Sequence, residues 1–391
     1  MGHVQLEGLF PGITGDLRQA GAQLGTGTEV KYYIDGRLKP PVDLPMVSAT
    51  RPLLENVVRS RVLELPNVMV TQGRAQALHL DERSVRSVRY AAQRQEAPQS
   101  TNPSDLTDID ADFVVDCMGR SSRLGTWLLD AGWSSPPLDR MRIDLGYATA
   151  RFHRGSELPG TVIVHSTPGP ASDYLFSRCE PGAMSAVEEN SWAVALAGYG
   201  NQRPGTCPEE FVKRMKRCVA PLHEVAERCE MAGSVETFHF REGLRRKFTR
   251  LNRFPGGLIA LGDSAASVNP IYGQGLTLAV LQASCLGAYL RSGLDPHAPA
   301  RTYFDHSAVF VEAAWGLSTA ADLAQPHVDG HRSWRYRLTR ILNDKIIAAS
   351  ITDPEVNRAF MRVLNMRDHP RSLLSPGVLL RSARSWAGST G

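Results

Sequence analysis

Residue types able to do chemistry concentrate between Gly256 and Arg291. The stretch reads Gly-Gly-Leu-Ile-Ala-Leu-Gly-Asp-Ser-Ala-Ala-Ser-Val-Asn-Pro-Ile-Tyr-Gly-Gln-Gly-Leu-Thr, then runs apolar as far as Leu290. Asp263 follows Gly262 at the end of a short apolar run, where a carboxylate can accept hydrogen bonds from ligand hydroxyls, as an acidic residue does on a ribose. Pro270, Gly273, Gln274, Gly275 and Leu276 lie in a loop that opens into a helix. The first N–H groups of a helix and its positive dipole end suit an electron-rich ligand. Other chemistries fit poorly. Gly119-Arg120-Ser121-Ser122-Arg123 breaks the Gly-x-Ser-x-Gly pattern of hydrolases at its last position. His-Glu-x-x-His and Cys-x-x-Cys are both absent, so no metal ligands are assigned. No catalytic side chain stands out.

The elements that must position these residues follow from pattern. Leu258–Leu261 behind a Gly pair reads as a buried strand, and the segment from Gly275 to Arg291, apolar nearly all round, as a buried helix. Asp112–Cys117 is a second short buried strand. It runs into Met118-Gly-Arg-Ser-Ser-Arg123 and a helix carrying Trp127, Leu128 and Leu129. Thr50-Arg51-Pro52 starts an amphipathic helix, with Pro52 in the first turn where its missing N–H costs little.

The remaining chain divides by pattern. Met1–Ala22 is helical or turn material, and Val30–Ile34 is a strand ending at an Asp35-Gly36 hairpin signal. Asn67–Thr71, Ala75–Leu80 and Val88–Ala91 read as a three-stranded meander, followed by a polar loop over Gln93–Asp108. Gly146–His153, Thr161–Ser166, Asp173–Cys179 and Trp192–Gly198 predict an antiparallel sheet. Pro208–Met231 reads as a helix broken near Pro221, leading to a strand around Val235–Phe240. Helices are predicted over Tyr303–Ala320, Arg332–Ala348, Glu355–Leu364 and Leu373–Ala387. Arg241, Arg245, Arg246, Lys247, Arg250 and Arg253 form either a solvated basic face or a docking surface for nucleotide phosphates. His165 and His239 read as satisfied strand residues rather than ligands.

Leu-Gly-Asp-Ser-Ala-Ala-Ser-Val-Asn-Pro-Ile-Tyr-Gly-Gln-Gly resembles the second flavin motif of the FAD-dependent aromatic hydroxylases, the para-hydroxybenzoate hydroxylase-like monooxygenases. The resemblance implies that Asp263 meets the ribityl chain of FAD and that the Pro270–Leu276 loop lies along the isoalloxazine ring. It also implies a polar residue aimed at the flavin from the Arg51 helix start. Gly119, Arg120, Ser122 and Arg123 loosely fit the family's middle motif, with Met118 where that family has Asp. That motif serves FAD and the nicotinamide reductant, NADPH or NADH, so the departure weakens the nicotinamide assignment. The implied fold class is α/β, an incomplete Rossmann-like FAD-binding domain with a β-meander, an antiparallel substrate sheet and C-terminal helices. The implied division is 1–140 with 241–300 for flavin, 141–240 for the substrate sheet and 301–391 for the helical region. The implied activity is oxygen insertion into a hydrophobic, ring-bearing small molecule through a flavin hydroperoxide. A halogenase or isoprenoid reductase shares the frame, and a non-catalytic relic is the alternative from another class.

One part of the family pattern is missing. No Gly-x-Gly-x-x-Gly occurs in the 391 residues: Gly25-Thr-Gly27, Gly198-Tyr-Gly200 and Gly273-Gln-Gly275 each lack the third Gly. The expectation is a chain that starts late in the family pattern and lacks the half of the site that holds ADP. Hydrophobic content of 42% and charged content of 21% describe an ordinary globular protein, and a net charge of +4 calls for no nucleic-acid partner. Six scattered cysteines read as reduced and mostly buried. No apolar run is long enough to span a membrane, and the N-terminus lacks the pattern of a signal peptide. A cytoplasmic protein is expected, with a homo-oligomer left open.

Overall fold

The computed structural model describes residues 1–92, 106–167, 179–330, 332 and 334–387. Helices α1 (Gly2–Leu9) and α2 (Ile13–Gln19) precede strands β1 (Gln23–Gly27), β2 (Val30–Ile34), β3 (Arg37–Leu38) and β4 (Val42–Ser48). Helix α3 (Arg51–Leu63) begins at Thr50, whose hydroxyl accepts from the Leu53 N–H, a standard N-cap. The turn between β2 and β3 places Asp35 and Gly36 at positive φ (48° and 76°), as the Asp-Gly pair predicts.

The meander consists of β5 (Gly73–Leu80), β6 (Val85–Ala92) and β7 (Leu106–Asp110). This corrects the expectation at both ends. Asn67–Thr71 forms no strand, and Met69 and Val70 are exposed. The third strand comes instead from Leu106–Asp110, whose Leu-Thr-Asp-Ile-Asp alternation was hidden in a polar run. Arg89 fixes that pairing by reaching both carboxylate oxygens of Asp108 at 2.9 Å. Residues 93–105 of the expected loop, and the predicted strand at Asp173–Cys179 up to residue 178, lie outside the described residues.

The large sheet has eight strands in the order β15-β13-β9-β12-β11-β10-β2-β3. Its members are β9 (Leu138–His153), β10 (Ile163–Thr167), β11 (Gly182–Val187), β12 (Ser191–Tyr199), β13 (Met231–Arg246) and β15 (Ala266–Ser267), together with the N-terminal hairpin. The sheet is antiparallel, as expected, except that β10 runs parallel to β2. Two features escaped the sequence. Gly182–Val187 is a strand, and β2 joins this sheet because the N–H groups of Val162 and Ile163 both reach the Glu29 carbonyl. The expected break near Pro221 is present: helices α5 (Pro208–Met215) and α6 (Ala220–Arg228) are separate, and Pro221 lies in the first turn of the second. With the sheet they enclose a core built on Trp192, Phe152, Phe211 and Met184.

A parallel pair, β8 (Val114–Asp116) and β14 (Leu258–Ala260), lies beside α4 (Leu124–Asp130) and α7 (Gly275–Arg291). Leu258 and Ile259 are fully buried among Leu124, Leu128 and Tyr303. Contrary to the all-round apolar reading, α7 buries only Leu278, Leu281, Gln282 and Tyr289, while Leu276 and Leu290 are exposed. Helices α8 (Arg301–Asp322), α9 (Trp334–Ala349), α10 (Pro354–Leu364) and α11 (Pro376–Ala387) complete the chain. All six cysteines are free thiols, but Cys117 and Cys207 are exposed and the other four only half-buried, which corrects the expectation of mostly buried thiols.

Candidate flavin-type site

The parallel register Leu258↔Val114, Ile259↔Val115, Ala260↔Asp116 brings the carboxyl ends of β14 and β8 to one level. Each strand then enters a 3-10 turn, Gly262–Ser264 and Gly119–Ser121. Both turns need a left-handed glycine: φ is 68° at Gly262 and 69° at Gly119. The two lie so close that a Cβ on Gly119 would stand 4.0 Å from the Asp263 Cβ.

Buried polar groups hold the turns together. Asp116 accepts from the Met118 N–H at 2.9 Å and from the Ser122 hydroxyl. The fully buried Ser264 hydroxyl sits 2.5 Å from the Asp116 carbonyl and accepts from the Leu261 N–H. Arg246 donates from one nitrogen to the Ser264 carbonyl at 2.9 Å and from another to the Arg120 carbonyl at 3.2 Å. That fork geometry is specific to a guanidinium. Within the basic cluster, Arg246 therefore works as a brace. Arg245 and Lys247 pair with Asp139, and Arg253 lies over the Trp133 ring at 4.8 Å.

Asp263 is exposed and accepts from the Ser267 hydroxyl at 3.1 Å. Arg120 donates to the same hydroxyl at 3.4 Å and stacks over the Phe240 ring at 4.2 Å. Burial pulls the Arg120 pKa below its ordinary value, with the charges of Asp263 and Glu242 working against it. Arg51 is 74 % exposed and pairs with Glu55 at 2.6 Å along its own helix. That hydrogen bond raises its pKa most, and Asp263 and Tyr147 add smaller contributions of the same sign. Gly119 and Arg120 thus stand beside Asp263, and Arg51 is within reach of its charge.

The Pro270–Leu276 loop leaves its backbone open. Gly273 has φ 66°, and a Cβ at Gly273 or Gly275 would meet nothing within 4 Å. Gln274 is buried and donates to the Leu364 carbonyl at 3.1 Å. Gln282 accepts from the Gly262 N–H at 3.1 Å. The Gln274 Oε1 and Gln282 Nε2 atoms are buried without a partner among the described residues, whereas most buried polar groups have one. Beneath the loop, Asp322 of α8 is only 2 % exposed. Its carboxylate accepts from Asn269 Nδ2 at 2.7 Å, the Tyr272 hydroxyl at 3.0 Å and the Ser318 hydroxyl at 3.2 Å. Burial still raises its pKa to about 6 against these three bonds.

Several of these residues were missed in the sequence. Asp322 carried a signal, a lone carboxylate in the apolar run Ala-Ala-Asp-Leu-Ala. Arg246 was hidden among five other basic residues, and Ser267 had no distinguishing feature. Among the described residues no group of three His, Cys, Asp or Glu side chains could hold a metal ion, and no helix is long and apolar enough to cross a membrane.

No family model matches the chain. It is 25% identical over 388 residues to Protein Rv3254 of Mycobacterium tuberculosis, covering 94% of this chain and 78% of that one. Among solved structures, the flavin-dependent brominase Bmp2 superposes with a TM-score of 0.61 at 14% identity, covering 97% of this chain and 86% of its own. The p-nitrophenol 4-monooxygenase PnpA of Pseudomonas putida DLL-E4 gives 0.59 at 17% identity, with 90% and 83% covered. A flavoprotein/dehydrogenase of Cytophaga hutchinsonii gives 0.61 at 13% identity, with 95% and 83% covered. At these identities the likeness concerns architecture: the chain has the mixed α/β fold of flavin-dependent monooxygenases and of a flavin-dependent brominase.

Proposed function

We propose that the chain is an FAD-dependent oxidoreductase of the monooxygenase type, acting on a hydrophobic, ring-bearing small molecule with NADPH or NADH as reductant. The observation that carries this reading is the exposed Asp263 carboxylate, set between two left-handed glycine turns at the carboxyl ends of a parallel strand pair. Open α/β sheets bind ligands at such ends.

The residues present fit one half of the cofactor. Asp263 has one oxygen engaged by Ser267, which leaves acceptor capacity for ribityl hydroxyls. The open backbone of the Pro270–Leu276 loop and the start of α7 suit the edge of a flat, electron-rich ring. Gly119 and Gly262 leave room beside the carboxylate, while Arg120 and Arg51 supply positive charge nearby. When bound, FAD would supply the oxygen-activating chemistry. The chain's own part is to bind, orient and exclude water. The ADP half is different: these 391 residues contain no Gly-x-Gly-x-x-Gly to approach a pyrophosphate. We therefore assign them weak FAD retention and impaired turnover. The division into a flavin-binding part and a substrate sheet belongs to the same proposal. So does a cytoplasmic location, which six free thiols support.

The test is reconstitution with excess FAD and either nicotinamide in air, against a panel of aromatic compounds. A product heavier by one oxygen atom supports the reading. Flavin-dependent nicotinamide oxidation with no modified product from any compound contradicts it. Bmp2 is a brominase, so a parallel arm with bromide separates oxygen insertion from halogenation.

A further inference from the structure

Charge is unevenly divided along the chain. Residues 332–387 contain 11 Lys and Arg against 4 Asp and Glu, a net charge of +7. The remaining residues, with 33 basic against 36 acidic side chains, carry −3. Such an asymmetry directs one part of a molecule toward an anionic partner.

Within the basic region, α9 is where charge and exposed apolar surface coincide. Its first eight residues, Trp-Arg-Tyr-Arg-Leu-Thr-Arg-Ile, hold three arginines and no acid, and Asp344 is the only acidic residue of the helix. Trp334, Leu338 and Ile341 recur at the i, i+4, i+7 spacing of one helical face. All three are exposed, at 67 %, 58 % and 55 %. Arg337 beside them is exposed as well.

The helix is held in this orientation by the rest of the fold. Ile346 is buried, and Leu342 packs into the same core as Val378 and Leu379 of α11. Arg332, just before α9, donates to the carbonyls of Leu323 at 3.1 Å and Val328 at 2.6 Å beyond the end of α8. The chemistry of the face selects among partners. A second copy laid on it would set one basic face against another, and like charges across an interface are costly. Nucleic acid would engage the arginines but leave Trp334, Leu338 and Ile341 in water. An anionic bilayer satisfies both. Tryptophan and aliphatic side chains enter the boundary between headgroups and acyl chains, and arginines meet lipid phosphates.

We propose that the exposed face of α9 docks this protein on the surface of an anionic lipid bilayer, with Trp334, Leu338 and Ile341 at headgroup level and Arg337 on lipid phosphate. The helix lies along the surface, since its 16 residues of mixed character cannot span a membrane. This docking does not depend on the flavin reading. For an enzyme of the proposed function, the place gives access to apolar compounds dissolved in the bilayer.

The experiment is co-sedimentation of the full chain with vesicles of phosphatidylcholine and phosphatidylglycerol in equal parts, and with vesicles of phosphatidylcholine alone. The mixed vesicles are expected to bind at least about tenfold more tightly, and added salt to weaken that binding. Arg337→Glu should weaken it by at least about fivefold. The triple variant Trp334→Ser, Leu338→Ser, Ile341→Ser should abolish it. Met69→Ser removes a side chain that is more exposed still, at 91 %, outside the basic region, and should bind as wild type does. These are exposed positions, so the variants are expected to keep the wild-type melting temperature. If the triple variant fails to fold, Arg337→Glu decides. Equal binding to both vesicles, binding to neither, or binding undiminished in Arg337→Glu would overturn the proposal. So would a dimer in sedimentation equilibrium that the triple variant splits, which would give this face to a second copy.

Discussion

Asn269 donates its side-chain amide to the buried carboxylate of Asp322 at 2.7 Å, directly beneath the Pro270–Leu276 loop. The pair fastens α8 to the segment proposed to meet the flavin ring, and it does so with a group whose burial opposes its charge. A carboxyl whose pKa rises from 3.8 unfolded to about 6 folded keeps its proton longer in the native state. Its contribution is therefore most favourable at low pH, declines between about 4 and 6, and stays low above that. The charged form costs on the order of 3 kcal/mol at pH 7.5. Asp322→Asn retains acceptors for Asn269 and Tyr272 without that cost. Urea unfolding should find the variant more stable at pH 7.5, by about 1–3 kcal/mol, with the advantage vanishing near pH 4. A less stable variant at pH 7.5 would show that the three hydrogen bonds outweigh desolvation.

Arg246 should prove structural rather than a cofactor-docking residue. Its bonds to the carbonyls of Ser264 and Arg120 brace the two glycine turns against each other. Arg246→Ala should cost about 1.5–3 kcal/mol of stability, and Arg246→Lys should recover little because an ammonium cannot reproduce the fork. Chemical denaturation of both variants decides the point. Full rescue by Lys would mean that only charge matters there.

Gly256 is constrained by backbone on the opposite side. A Cβ there would stand 1.6 Å from the His297 carbonyl oxygen, while Gly256 itself donates to Arg83 and accepts from Val85. Gly256 cannot move aside without breaking those bonds, so the strain falls on the backbone at His297. Gly256→Ala should destabilise by at least about 2 kcal/mol, read as a lowered denaturant midpoint with an unchanged slope. A wild-type midpoint would mean that the loop at His297 gives way freely.

Much of this site was legible because its devices are local. A Gly pair, an apolar run and Gly-Asp at its end specify a strand and a turn within eight residues, and Pro270 with Gly273 punctuates the loop. Thr50-Arg51-Pro52 marked a helix start for the same reason. What escaped is non-local or masked by composition. Nothing near Val30 says that it pairs with Ile163, and the third meander strand lies in a run whose charges resemble a loop. The apolar face of α7 was overread because apolar content alone does not say which side is covered. Lys39 could not be recognised as buried at all, since its neighbours Met361 and Phe360 lie over three hundred residues further along the chain.

Arg51 offers a comparison inside one helix. Its ion pair with Glu55 is exposed, and such pairs contribute little to stability. Arg51→Ala and Arg59→Ala should both leave the unfolding midpoint nearly unchanged, within about 0.5 kcal/mol. Because Arg51 senses the charge of Asp263, it should alter flavin affinity while Arg59→Ala does not. Equal affinities in the two variants would return Arg51 to the solvated surface.

The central claim is that Asp263 and its flanking glycine turns hold the ribityl side of a flavin, while these residues provide little for ADP. Titration of the 391-residue protein with riboflavin and with FAD, followed by quenching of flavin fluorescence, tests both parts in wild type and Asp263→Ala. The account predicts similar affinities for the two flavins, each weakened in the variant by about 1.5–3 kcal/mol, roughly ten- to a hundredfold. Much tighter binding of FAD than of riboflavin, or affinities unchanged in a folded Asp263→Ala protein, would contradict it.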